Sequence, residues 1–305
     1  MAAILTVDGL HKSFGSHQVL RKVSFTVEPG HVVGLVGPNG AGKSTIMKII
    51  LGLIPYDRGQ VTIGGQSVGI TSHQALGQVG ALIEYPGIYP FLTGKQHLQL
   101  FAQGPDKQKR VDAVVHDMGM EKYINSKAKR YSLGMKQKLG VAQALLNEPA
   151  LVILDEPMNG LDPAAVKSLR DLIRAKADAG TSFLISSHIL SELEKVADDV
   201  LILNKGLIVE QTSMTAMVNR GAEVYLIRTS DDQVTKQALG NASIPIMESP
   251  QGVLVNHEDL NDVLRVLVMS NIHVDDIAHV QHDLESSFLD MVNAGKGGAR
   301  DANAH

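Results

Sequence analysis

The run His31-Val32-Val33-Gly34-Leu35-Val36, continuing into Gly37-Pro38-Asn39-Gly40-Ala41-Gly42-Lys43-Ser44-Thr45, decides the fold. Residues 31–36 are a short apolar stretch of the kind that forms a strand buried on both faces. Residues 37–44 fit Gly-x-x-x-x-Gly-Lys-Ser/Thr at every fixed position, and Ser44–Leu53 reads as a helix. Glycines there let backbone N–H groups turn inward around a polyphosphate, and the helix N-terminus adds donors and a favourable dipole. On this reading Lys43 reaches the outer phosphates and the Ser44 hydroxyl ligates Mg²⁺.

Outward from this loop, Val23, Phe25 and Val27 alternate with polar residues before the Pro29-Gly30 turn, so the first 36 residues read as strands. Gly59–Gly65 reads as a hairpin arm, and Val79–Ile83 and Leu151–Leu154 as buried strands. Pro163–Ala179 reads as a helix with Val166, Leu169 and Ile173 on one face, followed by a strand at Thr181–Ser186. Strands alternating with helices predict a parallel sheet covered on both faces. The expected class is α/β: a P-loop NTPase core with an antiparallel β subdomain, a helical insertion over about residues 90–147, and a small C-terminal α+β unit. In that last part, strands are expected at Glu223–Arg228, Ile244–Glu248, Val253–Val255 and His273–Val280, with helices at Leu260–Met269 and Leu284–Met291. Together they are read as a ferredoxin-like α+β unit.

Composition bounds the rest. The 305 residues contain no cysteine, which removes disulfides, thiolate metal sites and a cysteine nucleophile. No apolar run is long enough to span a membrane, and the N-terminus lacks a basic stretch followed by an apolar one. The net charge of −4 argues against binding nucleic acid through bulk charge. Residues 1–219 carry net +3 and residues 220–305 net −7, which supports a boundary between a domain over 1–219 and one over 220–293. Residues 294–305 have the composition of a disordered tail.

Leu151-Val152-Ile153-Leu154-Asp155-Glu156 is an apolar strand ending in two carboxylates. Alone this reads more readily as a strand end with a solvated acidic turn. Downstream of a phosphate loop, Asp155 is expected to hold Mg²⁺ and Glu156 to polarise an attacking water.

The order Gly37–Thr45, Ser132-Leu133-Gly134-Met135-Lys136-Gln137, Leu151–Glu156, Asn159-Gly160-Leu161-Asp162 and Ser186-Ser187-His188 resembles the nucleotide-binding subunit of an ATP-binding-cassette (ABC) transporter over residues ~4–210. The resemblance implies an ATPase with two ATP molecules sandwiched between two copies. The homodimer would dock on a membrane-spanning permease subunit at the cytoplasmic face of the membrane. It implies that Phe14 stacks on adenine, that Ser132 and Gly134 bind the γ-phosphate held by the other copy, that Asp162 joins the two sites, and that His188 contacts the γ-phosphate. Taken alone, Phe14 reads as a core residue and His188 as a surface or capping histidine.

Two departures stand out. The usual Leu-Ser-Gly-Gly-Gln signature reads Tyr131-Ser132-Leu133-Gly134-Met135, and the Gln that normally follows the second buried strand is Glu84. Glu84 keeps an oxygen ligand for Mg²⁺ but adds charge beside the γ-phosphate. Residues 82–90, with Ser132–Met135, are similar to ATP-binding subunits of lantibiotic self-protection and bacitracin-export systems, which implies an antimicrobial peptide as cargo. The rival readings are a soluble ABC ATPase acting on ribosomes or DNA, and a regulator that binds ATP without hydrolysing it.

Overall fold

In a computed structural model the chain is described over residues 2–220, 224–242, 244–249 and 252–280. It divides into two compact units after Met214.

In the larger unit β1 (Leu5–Phe14) and β2 (His17–Val27) form an antiparallel pair. Leu20, Val23, Phe25 and Val27 of β2 point into the core while the intervening polar residues face out. After β3 (Val32–Val36) come α1 (Lys43–Ile50), β4 (Arg58–Ile63), β5 (Gln66–Ser67) and β6 (Val79–Leu82). The helical insertion holds α2 (Gly94–Phe101), α3 (Lys107–Asp117) and α4 (Leu133–Leu145). Thr93 and Gln96 form a reciprocal capping box at the start of α2. Then follow β7 (Leu151–Asp155), α5 (Pro163–Asp178), β8 (Ser182–Ser187), α6 (Leu190–Leu193), β9 (Asp199–Asn204) and β10 (Leu207–Ser213).

Two sheets result, ordered β2-β1-β4-β5 and β10-β9-β3-β8-β7-β6. In the second, β3 lies between β8 and β9, and β3, β6, β7, β8 and β9 run parallel. Every residue of β3, β7 and β8 is buried, Asp155 and the serines of β8 included. The ends of β3, β7 and β8 therefore open side by side at one edge, which is where a parallel sheet places its ligand. Strands β9 and β10 are not among those expected from sequence, although Val200–Leu203 has the same apolar signature as β3.

The smaller unit contains α7 (Met214–Arg220), β11 (Val224–Thr229), α8 (Asp232–Asn241), β12 (Met247–Ser249), β13 (Gly252–Asn256), α9 (Leu260–Met269) and β14 (Val274–Val280). Its antiparallel sheet runs β12-β13-β11-β14, the ferredoxin-like order. Ile227, Leu239, Val253, Val255, Val263 and Leu267 form its core. Helix α8 was not foreseen. It buries only Thr235 and Leu239, a stripe too narrow to register as helical periodicity. The expected helix at Leu284–Met291 and the tail at 294–305 lie outside the described residues.

Candidate functional site

The phosphate loop connects β3 to α1. Gly42 is the residue before the helix and takes φ 113°, a conformation that side chains resist. Gly37 packs so closely that a Cβ there would meet the Leu203 carbonyl oxygen. Lys43 is buried at 7% exposure, and its ammonium donates to the Gly37 carbonyl oxygen at 2.6 Å. An open cavity of about 220 Å³ is lined by the loop, Val19, Asp155 and Glu156.

Asp155 ends β7 and is also buried. Its Oδ2 accepts from Ser44 Oγ at 2.8 Å and its Oδ1 from Ser186 Oγ at 2.5 Å. Among the described residues it forms no ion pair, so a buried carboxylate is left with hydroxyl partners only. An all-oxygen set short of one cation is the chemistry Mg²⁺ takes up, with water and phosphate completing its shell.

Glu156 stands at φ 50°, in the left-handed region, which costs a non-glycine residue about 1–2 kcal/mol. Local hydrogen bonds offset that cost. The Glu156 N–H donates to Ser186 Oγ at 3.0 Å, while its carbonyl accepts from Gln137 Nε2 and from the Asn159 N–H, each at 3.2 Å. The side chain then reaches two basic groups: Oε1 is 3.6 Å from Lys43 Nζ and Oε2 is 2.9 Å from His188 Nδ1.

Comparison with known proteins gives a consistent result. Residues 20–159 match the family described as ABC transporter. An uncharacterized ABC transporter ATP-binding protein of Bacillus subtilis is 38% identical across 95% of this chain and 96% of its own length. The chain belongs to the ATP-binding subunits of ABC transporters. A bacitracin transport ATP-binding protein of Enterococcus faecalis is 30% identical, covering 97% of this ABC subunit and 98% of its own length. A lantibiotic transport ATP-binding protein of Streptococcus pyogenes is 37% identical over 68% and 89%. A solved ATP-binding subunit of an ABC transporter superposes with a TM-score of 0.66 at 32% identity, over 71% of this chain and 92% of that one. As a member of this family, the subunit is an ATPase.

The ABC subunit brings Gly37–Thr45, Asp155, Glu156 and His188 together at one sheet edge. Phe14 ends β1 with its ring 51% exposed and the Lys12 ammonium 4.7 Å from the ring centre. Ser132, Gly134 and Asp162 line a different cavity, of about 360 Å³. There Ser132 caps α4, its Oγ accepting from the Met135 N–H at 3.3 Å, and Asp162 caps α5, its Oδ1 accepting from the Ala165 N–H at 2.9 Å. Tyr131 replaces the usual leucine of the signature and is buried. Its hydroxyl donates to the Tyr123 carbonyl at 3.0 Å, and the two rings meet edge to face. Glu84, at φ 58°, lines a third cavity with Tyr85, Asp155 and Glu156, and its carboxylate is paired with Lys48 at 2.5 Å.

Three residues of the site were given no role from sequence. Ser186 and Gln137 lie inside motifs quoted above, but only the folded chain brings them to Glu156. Lys48 carries no motif at all.

Proposed function

We propose that this subunit powers a separate membrane-spanning permease at the cytoplasmic face of the membrane, exporting an antimicrobial peptide. The contacts of Glu156 with Lys43 and His188 are the observation that carries the ATPase chemistry. The cargo rests on the similarity to relatives named for bacitracin and lantibiotic transport.

The mechanism follows from the side chains. On ATP binding, Lys43 exchanges its Gly37 contact for the β- and γ-phosphates, and loop N–H groups take the remaining oxygens. The adenine stacks on Phe14. Ser44 and Asp155 would hold Mg²⁺, and Glu84 would join them only by leaving Lys48. When bound, Mg²⁺ neutralises charge on the phosphate oxygens. Glu156 takes a proton from water aligned on the γ-phosphorus as the water oxygen bonds to that phosphorus, and the bond from the phosphorus to the β–γ bridging oxygen breaks, leaving ADP and inorganic phosphate. His188 donates to a γ-phosphate oxygen while held by Glu156.

The Ser132–Gly134 cavity is distinct from the phosphate-loop cavity. That separation supports an ATP-dependent homodimer in which each copy presents its α4 N-terminus to the other's nucleotide. The loop after β6 supports permease docking. Tyr85, which lines the Glu84 cavity with Glu156, is 84% exposed, and Phe91 further along the loop is 64% exposed.

Purification from solubilised membranes with phosphate-release assays tests this reading. An integral permease is expected to co-purify. Lys43→Ala should lower ATPase activity by at least about a hundredfold, through loss of a charge-assisted phosphate contact. Activity within threefold of the parent would refute the phosphate-loop assignment.

A further inference from the structure

Three carboxylates, Glu84, Asp155 and Glu156, line one cavity of about 350 Å³. A triphosphate in the neighbouring loop adds more negative charge to the same region. Two of the three are served by known parts of the loop: Lys43 lies 3.6 Å from Glu156, and Ser44 hydrogen-bonds Asp155. Glu84 is served by neither.

Its partner is Lys48, four residues beyond Ser44 on α1. Residues i and i+4 share a helix face, so the lysine follows Ser44 along the side of α1 that meets the strand ends. Lys48 Nζ lies 2.5 Å from Glu84 Oε1, with the lysine side chain 31% and the glutamate side chain 54% exposed. Glu84 is held at φ 58°, a conformation that tertiary contacts must maintain in a non-glycine residue. Among the described residues, no three His, Asp or Glu side chains converge as a metal site. Glu84 therefore lines the cavity without closing on Asp155 and Glu156.

We propose that Lys48 is a positioning residue: it holds the Glu84 carboxylate against α1 and offsets its charge, so that ATP can bind beside a carboxylate. The proposal rests on ATP occupying the phosphate loop. An amide at position 84 would need no such counter-ion. The lysine is thus the compensation for Glu84, and the two residues should act as a unit.

A double-mutant cycle tests this on the full-length subunit, reading ATP affinity in chelator, with no metal present. Lys48→Met should weaken binding roughly three- to tenfold, a modest loss because the pair is partly exposed. In the Glu84→Gln background the same change should cost less than about twofold, and Lys48→Arg should restore parental affinity to within about twofold. Lys48→Gln carries the same expectation should the methionine variant fail to fold. An equal loss in both backgrounds would mean that Lys48 acts on the phosphates directly, and no loss in the parent would mean that the pair is idle. Either result overturns the proposal. If the parent binds ATP and Lys43→Ala does not, a failed cycle counts against Lys48 alone. A parent blind to ATP counts against the phosphate-loop reading itself.

Discussion

His188 Nδ1 lies 2.9 Å from Oε2 of Glu156, joining the ends of two adjacent parallel strands across the reaction site. The same carboxylate faces Lys43 through its other oxygen. One residue thus connects the lysine of the phosphate loop to the histidine that follows β8.

Glu156→Gln keeps the shape of this junction and removes its basicity. Turnover should fall by about 10²–10⁴-fold with ATP binding retained. The variant should accumulate as an ATP-dependent dimer, since hydrolysis normally opens the sandwich. Size-exclusion chromatography with Mg-ATP and a phosphate-release assay check both halves. A variant keeping a tenth of parental turnover would remove Glu156 from the chemistry.

Ser186→Ala should disturb both metal and water positions at once. Its buried hydroxyl donates to Asp155 and accepts from the Glu156 N–H. Leaving a buried polar group unpaired costs about 1–3 kcal/mol. We expect a melting temperature lower by several degrees, a higher Mg²⁺ requirement and a lower kcat. Parental values for all three would mean that Ser186 holds neither carboxylate group in place.

Phe14→Ala should separate base recognition from phosphate recognition. Base–aromatic stacking contributes about 1–3 kcal/mol, so ATP affinity should drop about fivefold or more. Affinity for inorganic tripolyphosphate should not change. Calorimetric titration of both ligands decides it, and equal losses for the two would place Phe14 away from the base.

His97 gives a pH dependence. It is fully buried on α2, with Nε2 2.7 Å from Gln143 Oε1 and, among the described residues, no partner at Nδ1. Burial pushes its pKa below the ordinary value of 6.5, outweighing the Gln143 contact that acts the other way. The folded chain therefore resists a proton that the unfolded chain accepts, and stability falls as pH drops below 6.5. His97→Gln should flatten that fall. Denaturant melts at about pH 7.5 and about pH 5.5 measure it, with a ceiling of about 1.4 kcal/mol per pH unit. Identical pH profiles for parent and variant would show that another group sets the dependence.

The sequence by itself determined what depends on neighbours along the chain. A loop of eight residues with fixed glycines, a lysine and a serine has essentially one conformation that satisfies its backbone after a buried strand and before a helix. The apolar runs at residues 32–36 of β3 and 151–154 of β7 likewise have one use in a sheet covered on both faces. The strands of the smaller unit were legible through their alternation, although α8, with two inward residues, was not.

Only the tertiary structure decided which distant groups share charge. Ser186 and Gln137 are ordinary polar residues until β8 and α4 bring them to the backbone of Glu156. The Glu84 carboxylate lies against Lys48 on α1, a pairing that no spacing encodes. Position along the chain fixes local geometry, because hydrogen bonding and sterics act over a few residues. Coulomb attraction and burial act through space, so the neighbours of a carboxylate are set by how the strands cross over.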